Sequence, residues 1–250
     1  MLSALRESTK QTALARSESR ANGPFLCPEC CGEVVLRTGS VRMNHFAHKF
    51  PRTCAYAGGE SDAHRRCKVE IYEALLEEPS VTKVALERRS GTNRPDISAY
   101  INGVPVAIEV QISALSLETI IYRTEEYARK GIYVLWLTQW TPYLESSRYS
   151  PRLWEKWLHA AHFGSVYYWT SGLDVASYRF EPHLKRIPKS TWRASNGRRM
   201  RTGGYTHQSP RYRIPRFENT LNLVRDFRPK ERQAWSSKRL RIPPSKLWMN

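Results

Sequence analysis

No run in this sequence reaches the roughly 20 apolar residues that a membrane-spanning helix needs. The opening stretch, MLSALRESTKQTALARSESRANG, also lacks the continuous apolar core of a secretory signal. Cysteine is sparse and odd in number: five in 250 residues do not make a disulfide framework. No internal repeat is present. These absences exclude a helical membrane protein and a disulfide-stapled secreted scaffold, and the expectation is a cytoplasmic protein. At this length there is room for one good core plus a small appendage, or for two modest domains.

Acidic residues are the other scarcity, 23 against 40 basic ones, and the imbalance is local. From His183 to Asn250 there are 18 Lys+Arg and 3 Asp+Glu, a difference of +15, which leaves only +2 of the total +17 for residues 1–182. A nearly neutral body with a strongly basic tail fits nucleic-acid binding; a solvated, disordered tail is the competing account. Trp192, Tyr205, Tyr212, Trp235 and Trp248 interleave with the tail's cations. Aromatic faces stack on bases while Arg and Lys neutralise phosphates, which favours nucleic acid.

Four of the five cysteines fall between Cys27 and Cys54, beside two histidines. Cys27-Pro-Glu-Cys30 has the outline of a zinc knuckle, in which two thiolates on one tight turn bite a tetrahedral ion. The second pair of ligands is Cys54 with either His48 or His45. The 17 residues between Cys30 and His48 allow a hairpin, out over Glu33–Arg37 and back over Val41–Phe46. That hairpin would put His45 in the returning strand, so His48 is preferred. Four protein ligands make the zinc structural, with no open position for water. Buried structural cysteines are the alternative.

The chain is organised around Arg94–Gln111, RPDISAYINGVPVAIEVQ. Ile97, Ala99 and Ile101 alternate after Asp96, and Val104, Val106 and Ile108 alternate before Glu109. Asn102-Gly103 between the runs predicts a type I′ hairpin, whose turn needs positive φ at both central residues. The hairpin brings the two acids toward one end of the strands. Two carboxylates that close repel unless a cation lies between them, so the pattern points to a divalent metal site. Structural carboxylates on a hairpin are the simpler alternative.

After a Gly58-Gly59 break, a helix is predicted over 60–78, with Glu60, His64 and Lys68 spaced by four along one polar stripe. Position gives the stripe functional interest, because the helix directly precedes the acid-bearing strands; an ordinary solvated face is the alternative. A strand over Val81–Glu87, a turn over Arg88–Asn93, a helix over Ser116–Lys130 and a buried strand over Ile132–Thr138 follow. The last crossover invites a parallel partner and an α/β sheet. A further helix over 151–163 and short strands over Val166–Thr170 and Val175–Phe180 close the domain. Beyond Pro182 the periodicity fades into Arg, Pro, Ser and Gly. Three regions are therefore expected: an arm and zinc module over 1–58, an α/β domain over 59–182, and a basic, aromatic-containing tail over 183–250.

The order CPEC, HFAH, a cysteine, a helix with GES, H and K, then RPDI, AIEVQIS and a helix bearing R and Y resembles the competence protein CoiA-like family. The likeness covers roughly residues 24–140. It implies the PD-(D/E)XK nuclease superfamily, with a restriction-endonuclease-like mixed sheet flanked by helices, an N-terminal zinc ribbon or knuckle, and action on single- or double-stranded DNA. It also implies processing or recombination of incoming DNA, with recombination proteins as partners. Pro95-Asp96 matches the PD step and Glu109-Val110-Gln111 the (D/E)-X-K step, except that the lysine is Gln111. In the superfamily that lysine orients and helps activate water, so its loss puts catalysis in question.

On this resemblance Asp96, Glu109 and the Val110 carbonyl would hold Mg2+ or Mn2+, and Gln111 would position the water. Glu60, His64 and Lys68 would act from the helix on the metal, the water or the scissile phosphate, with Lys68 able to supply the missing cation. Arg94, Arg123 and Tyr127 would contact DNA, although Arg123 and Tyr127 could instead pack on the sheet. A catalytically inactive DNA-binding module with the same fold is the alternative.

Overall fold

The computed structural model describes residues 1–250 apart from 51–53, 55–59, 90, 92, 113–114 and 238–239, so the Gly58-Gly59 break and parts of the 88–93 turn lie outside the described residues. Residues 1–22, for which the sequence allowed a helix, strands or a loose arm, hold two short strands, β1 (Ser3–Arg6) and β2 (Thr12–Leu14). With β3 (Phe25–Leu26), β4 (Glu33–Arg37) and β5 (His45–His48) they make an antiparallel sheet in the order β2-β1-β3-β4-β5. Alternation puts Val34, Leu36 and Phe46 inward, where Phe46 packs on Phe25 with ring centroids 4.9 Å apart. The returning strand starts at His45, later than the Val41 expected from sequence, and carries both histidines.

Helix α1 (Asp62–Glu77) is capped by Ser61, whose hydroxyl accepts from the His64 amide. It leads into β6 (Val81–Leu86), β7 (Ile97–Ile101) and β8 (Val104–Gln111), an antiparallel run. Asn102 and Gly103 between β7 and β8 have φ of 51° and 78°, as a type I′ turn requires. Helix α2 (Leu117–Arg129), capped by Ser116, then crosses to β9 (Tyr133–Gln139), which lies parallel to β8. Helix α3 (Leu153–Ala161) precedes β10 (Val166–Ser171), parallel to β9, and β11 (Asp174–Ile187), antiparallel to β10. The result is a mixed α/β architecture whose main sheet runs β11-β10-β9-β8-β7-β6 through these elements.

The C-terminal region departs most from expectation. The boundary expected after Pro182 falls inside β11, where Pro182 pairs with Arg213. After the hairpin β12 (Ser190–Arg193) and β13 (Arg199–Thr202), the long β14 (Tyr205–Asn222) returns along β11. Strands β15 (Arg228–Arg232), β16 (Trp235–Ser236), β17 (Arg241–Ile242) and β18 (Ser245–Met249) follow, and β18 joins β15 and β9. Phe227, Ile242, Leu247 and Trp248 are buried in the main core with Trp136, Trp157 and Tyr167. Trp248 therefore cannot stack on a base, and its indole N–H donates to the Leu223 carbonyl at 2.9 Å. Much of the segment is exposed on both faces, so its strands leave no alternation to read.

Candidate active site and metal centres

Two clusters of metal-ligating side chains stand out among the described residues. The first is Cys27, Cys30, His48 and Cys54, whose donor atoms all lie within 4.8 Å of one another. Cys27 closes the tight turn, its amide donating to the Gly32 carbonyl and its carbonyl accepting from the Cys31 amide. Cys31 takes φ of 54° there and is exposed. On β5, His48 pairs with Val34, and its Nε2 lies 3.3 Å from Cys30 Sγ. Cys27 Sγ and Cys54 Sγ are 3.9 Å apart. Zinc–sulfur bonds of about 2.3 Å and zinc–nitrogen bonds of about 2.0–2.1 Å give tetrahedral edges of roughly 3.8 and 3.6 Å, so the set is consistent with zinc. His45 instead sets its Nδ1 2.8 Å from the Met43 carbonyl.

Burial pushes the Cys27 thiol up to about 11, so at neutral pH it ionises only beside a cation. We expect about one zinc per chain by elemental mass spectrometry. Cys30→Ser should drop occupancy below half and expose the β3–β5 segment to early proteolysis. A metal-free protein of undiminished melting temperature would sink the assignment.

The second cluster is Glu60, His64 and Asp96. The spacing of four on and before α1 brings Glu60, His64 and Lys68 together, and β7 delivers Asp96 to the same place. His64 Nδ1 is 3.1 Å from Glu60 Oε1, and its Nε2 is 3.3 Å from Asp96 Oδ2. Asp96 Oδ2 also accepts from the Val110 amide at 2.9 Å, so Val110 is tied to the site through its N–H. Burial would raise the Asp96 carboxyl, but Lys68, His64 and the Val110 amide outweigh it and hold it well below the usual range. Two carboxylates and an imidazole form a mixed oxygen–nitrogen set that suits Mn2+ better than Mg2+, which prefers oxygen octahedra.

Lys68 is buried, with its Nζ against Glu60, 2.6 Å from Glu87 Oε1 and 3.4 Å from Asp96 Oδ1. Desolvation alone would lower its ammonium, but these three carboxylates raise it well above the ordinary lysine value. It is a fixed cation rather than a free base. Glu87, which the sequence predicts as the end of a strand, is the hub beneath it. Its Oε2 accepts from the Leu2 amide (3.0 Å), the Ser3 amide (3.2 Å) and Arg94 Nη2 (2.7 Å). Arg94 is correspondingly buried, also donating to Ser3 Oγ at 2.8 Å, so the expected DNA contact is an internal brace.

Glu109 stands apart from the triad. It is buried; Tyr127 donates its hydroxyl to Oε1 at 2.5 Å, and Arg123 pairs with the same oxygen. Burial pushes its carboxyl up to about 7, with Arg123 opposing and Asp96 adding to the rise. Arg123 and Tyr127, expected to face DNA, thus orient an acid, and Tyr127 is fully buried. Gln111, also buried, follows at the end of β8 opposite Thr138.

The site thus joins acids at adjoining ends of β7 and β8 to Glu60 just before α1 and to His64 and Lys68 on it, with a separate cysteine–histidine centre in the N-terminal sheet. The chain belongs to the competence protein CoiA-like family. Residues 60–162 match the model "Competence protein CoiA, nuclease-like domain", and residues 7–57 match "Competence protein CoiA, N-terminal domain". The competence protein CoiA of Bacillus subtilis (strain 168) is 31% identical over 114 residues, which cover 45% of this chain and 31% of that protein. No solved structure matches. Among the described residues no helix is long and apolar enough to cross a membrane.

Proposed function

We propose that this chain is a metal-dependent DNA nuclease of PD-(D/E)XK, restriction-endonuclease-like type, acting on incoming DNA beside recombination proteins. The observation that carries the proposal is the convergence of donor atoms of Glu60, His64 and Asp96 within 4.8 Å of one another. These three side chains would hold Mn2+ or Mg2+. When bound, such an ion makes hydroxide available near neutral pH and offsets charge growing on the phosphorus oxygens. Lys68 neutralises the ligand carboxylates and holds them in place. Burial favours the neutral form of the Glu109 carboxyl, so it would serve to exchange a proton with water or a leaving oxygen, with Arg123 and Tyr127 fixing its orientation.

Two observations favour a second reading, an inert DNA-binding module: Gln111 stands where the superfamily lysine would, and Lys68 is locked among three carboxylates. Cleavage of labelled linear, circular and single-stranded DNA with Mn2+ or Mg2+ separates the two. Wild type should cut only with added metal, and Asp96→Ala and Glu109→Ala should not cut. Clean wild type that binds DNA without cutting it would transfer the assignment to the inert module.

A further inference from the structure

Strand β11 pairs with β10 only as far as Tyr178. From Arg179 to Ile187 its ladder partner is β14, and the β12–β13 hairpin extends beyond. Phe180 is still packed in the core and Arg213, opposite Pro182, is bridged to Tyr149, so His183–Ile187, five residues at about 3.4 Å each, carry a two-stranded ribbon roughly 17 Å outward before that hairpin. Residues 183–213 hold nine Lys+Arg and no Asp or Glu. At the root of the ribbon the charges are matched, Arg179 with Glu218 and Arg216 with Glu181. Outward of it, Lys185, Arg186, Lys189, Arg193, Arg198, Arg199 and Arg201 are exposed and have no carboxylate partner among the described residues.

The register sorts the outer hairpin into two faces. Arg193 lies directly opposite Arg199, and Arg201 opposite Thr191, on one face. Like charges directly opposite one another destabilise a ladder, so this face is built at a cost that an external polyanion would remove. The other face pairs Trp192 with Met200, which are 49% and 38% exposed. The ribbon's root rests on the 146–152 segment. Tyr149 pairs with Arg213, Arg148 stacks 3.9 Å over the Tyr212 ring, Arg211 Nε donates to Ser150, and Arg152 donates to the carbonyl of Ile112, the residue after Gln111.

We infer that residues 183–213 form an arm that inserts into a groove of duplex DNA, a proposal that rests on the DNA reading above and deepens it. The major groove, about 12 Å wide, admits a two-stranded β-ribbon. In a groove both faces are used: Arg193, Arg199 and Arg201 meet phosphates on one wall, while Trp192 and Met200 pack on the other. A single flexible strand would engage one face and leave the apolar pair in water. The contact is with backbone and groove shape, so it tethers without reading sequence.

The test uses the full chain with no added divalent ion, so that binding is read without cleavage. Fluorescence anisotropy from 50 to 300 mM salt compares wild type with Arg193→Gln/Arg199→Gln/Arg201→Gln on a 25-base-pair duplex and a 25-nucleotide single strand. Each lost phosphate contact lowers the slope of log K against log salt by about 0.9 on duplex, so the triple variant should lose about 2–3 from the slope and at least tenfold in affinity. Single-strand affinity should change less than twofold. A control of equal charge loss, Lys10→Gln/Arg16→Gln/Arg37→Gln, should leave both unchanged. An unchanged duplex slope, or an equal loss on single strands, overturns the arm. If the triple variant behaves as expected and wild type never cleaves DNA, the arm stands and the nuclease chemistry falls.

Discussion

Glu87→Ala is expected to lower the unfolding free energy by about 3–5 kcal/mol, the range for removing one partner of a buried charge network. The variant leaves Lys68 and Arg94 without their shared carboxylate, and it strands the Leu2 and Ser3 amides that Glu87 now accepts. The pH dependence gives a second measure. Burial pushes the Glu87 carboxyl up, but Lys68, Arg94 and the N-terminal ammonium overcome this and bring it to about 2, against an ordinary value near 4.5. A depressed carboxyl contributes stability that is complete above the unfolded value and lost as pH falls toward the folded one. The contribution is therefore whole above about pH 4.5 and fades toward pH 2, and a shift of that size corresponds to about 3 kcal/mol. Urea denaturation of wild type and variant at pH 7 and pH 3 checks both statements. The gap between them should be widest at pH 7 and narrow at pH 3. A gap below 1 kcal/mol at neutral pH would show that Glu87 is not the hub.

Local chemistry was legible in the sequence wherever one stretch of chain contains its own cause. Asn102-Gly103 specifies its turn, and the helices expected over 60–78 and Ser116–Lys130 form where their apolar spacing puts them. The stripe of Glu60, His64 and Lys68 needs only the helical period to bring it onto one face. The parallel placement of β9 beside β8 follows from the helix between them. What the sequence hid depends on distant partners. Glu87 reads as an ordinary strand end because Lys68 lies 19 residues before it and Ser3 lies 84 before it. Arg94, Arg123 and Tyr127 look like surface groups until their carboxylate partners fold over them. The C-terminal ribbon has water on both faces, so no apolar alternation announces its strands, and Trp248 shows as core only once β18 reaches β9.

Asp96→Asn and His64→Ala are expected to weaken Mn2+ binding by at least tenfold and to cut metal-dependent cleavage by about 10³. Loss of several kcal/mol of transition-state charge stabilisation corresponds to a rate factor of that order. Asn keeps an oxygen that can accept the Val110 N–H, so the local backbone should hold while one anionic ligand is removed. His64 is the discriminating residue, because an Asp96/Glu109 metal pair would leave the imidazole outside the ligand set. Calorimetric titration of Mn2+ into wild type, Asp96→Asn, His64→Ala and Glu109→Gln decides between the two arrangements. If Glu60, His64 and Asp96 are the ligands, the first two variants lose affinity together. Glu109→Gln then retains metal while losing cleavage, since Arg123 and Tyr127 already occupy its oxygen. If Glu109→Gln loses Mn2+ and His64→Ala does not, the ion sits between the two strand carboxylates, and Arg123 must release Glu109 before the site can fill.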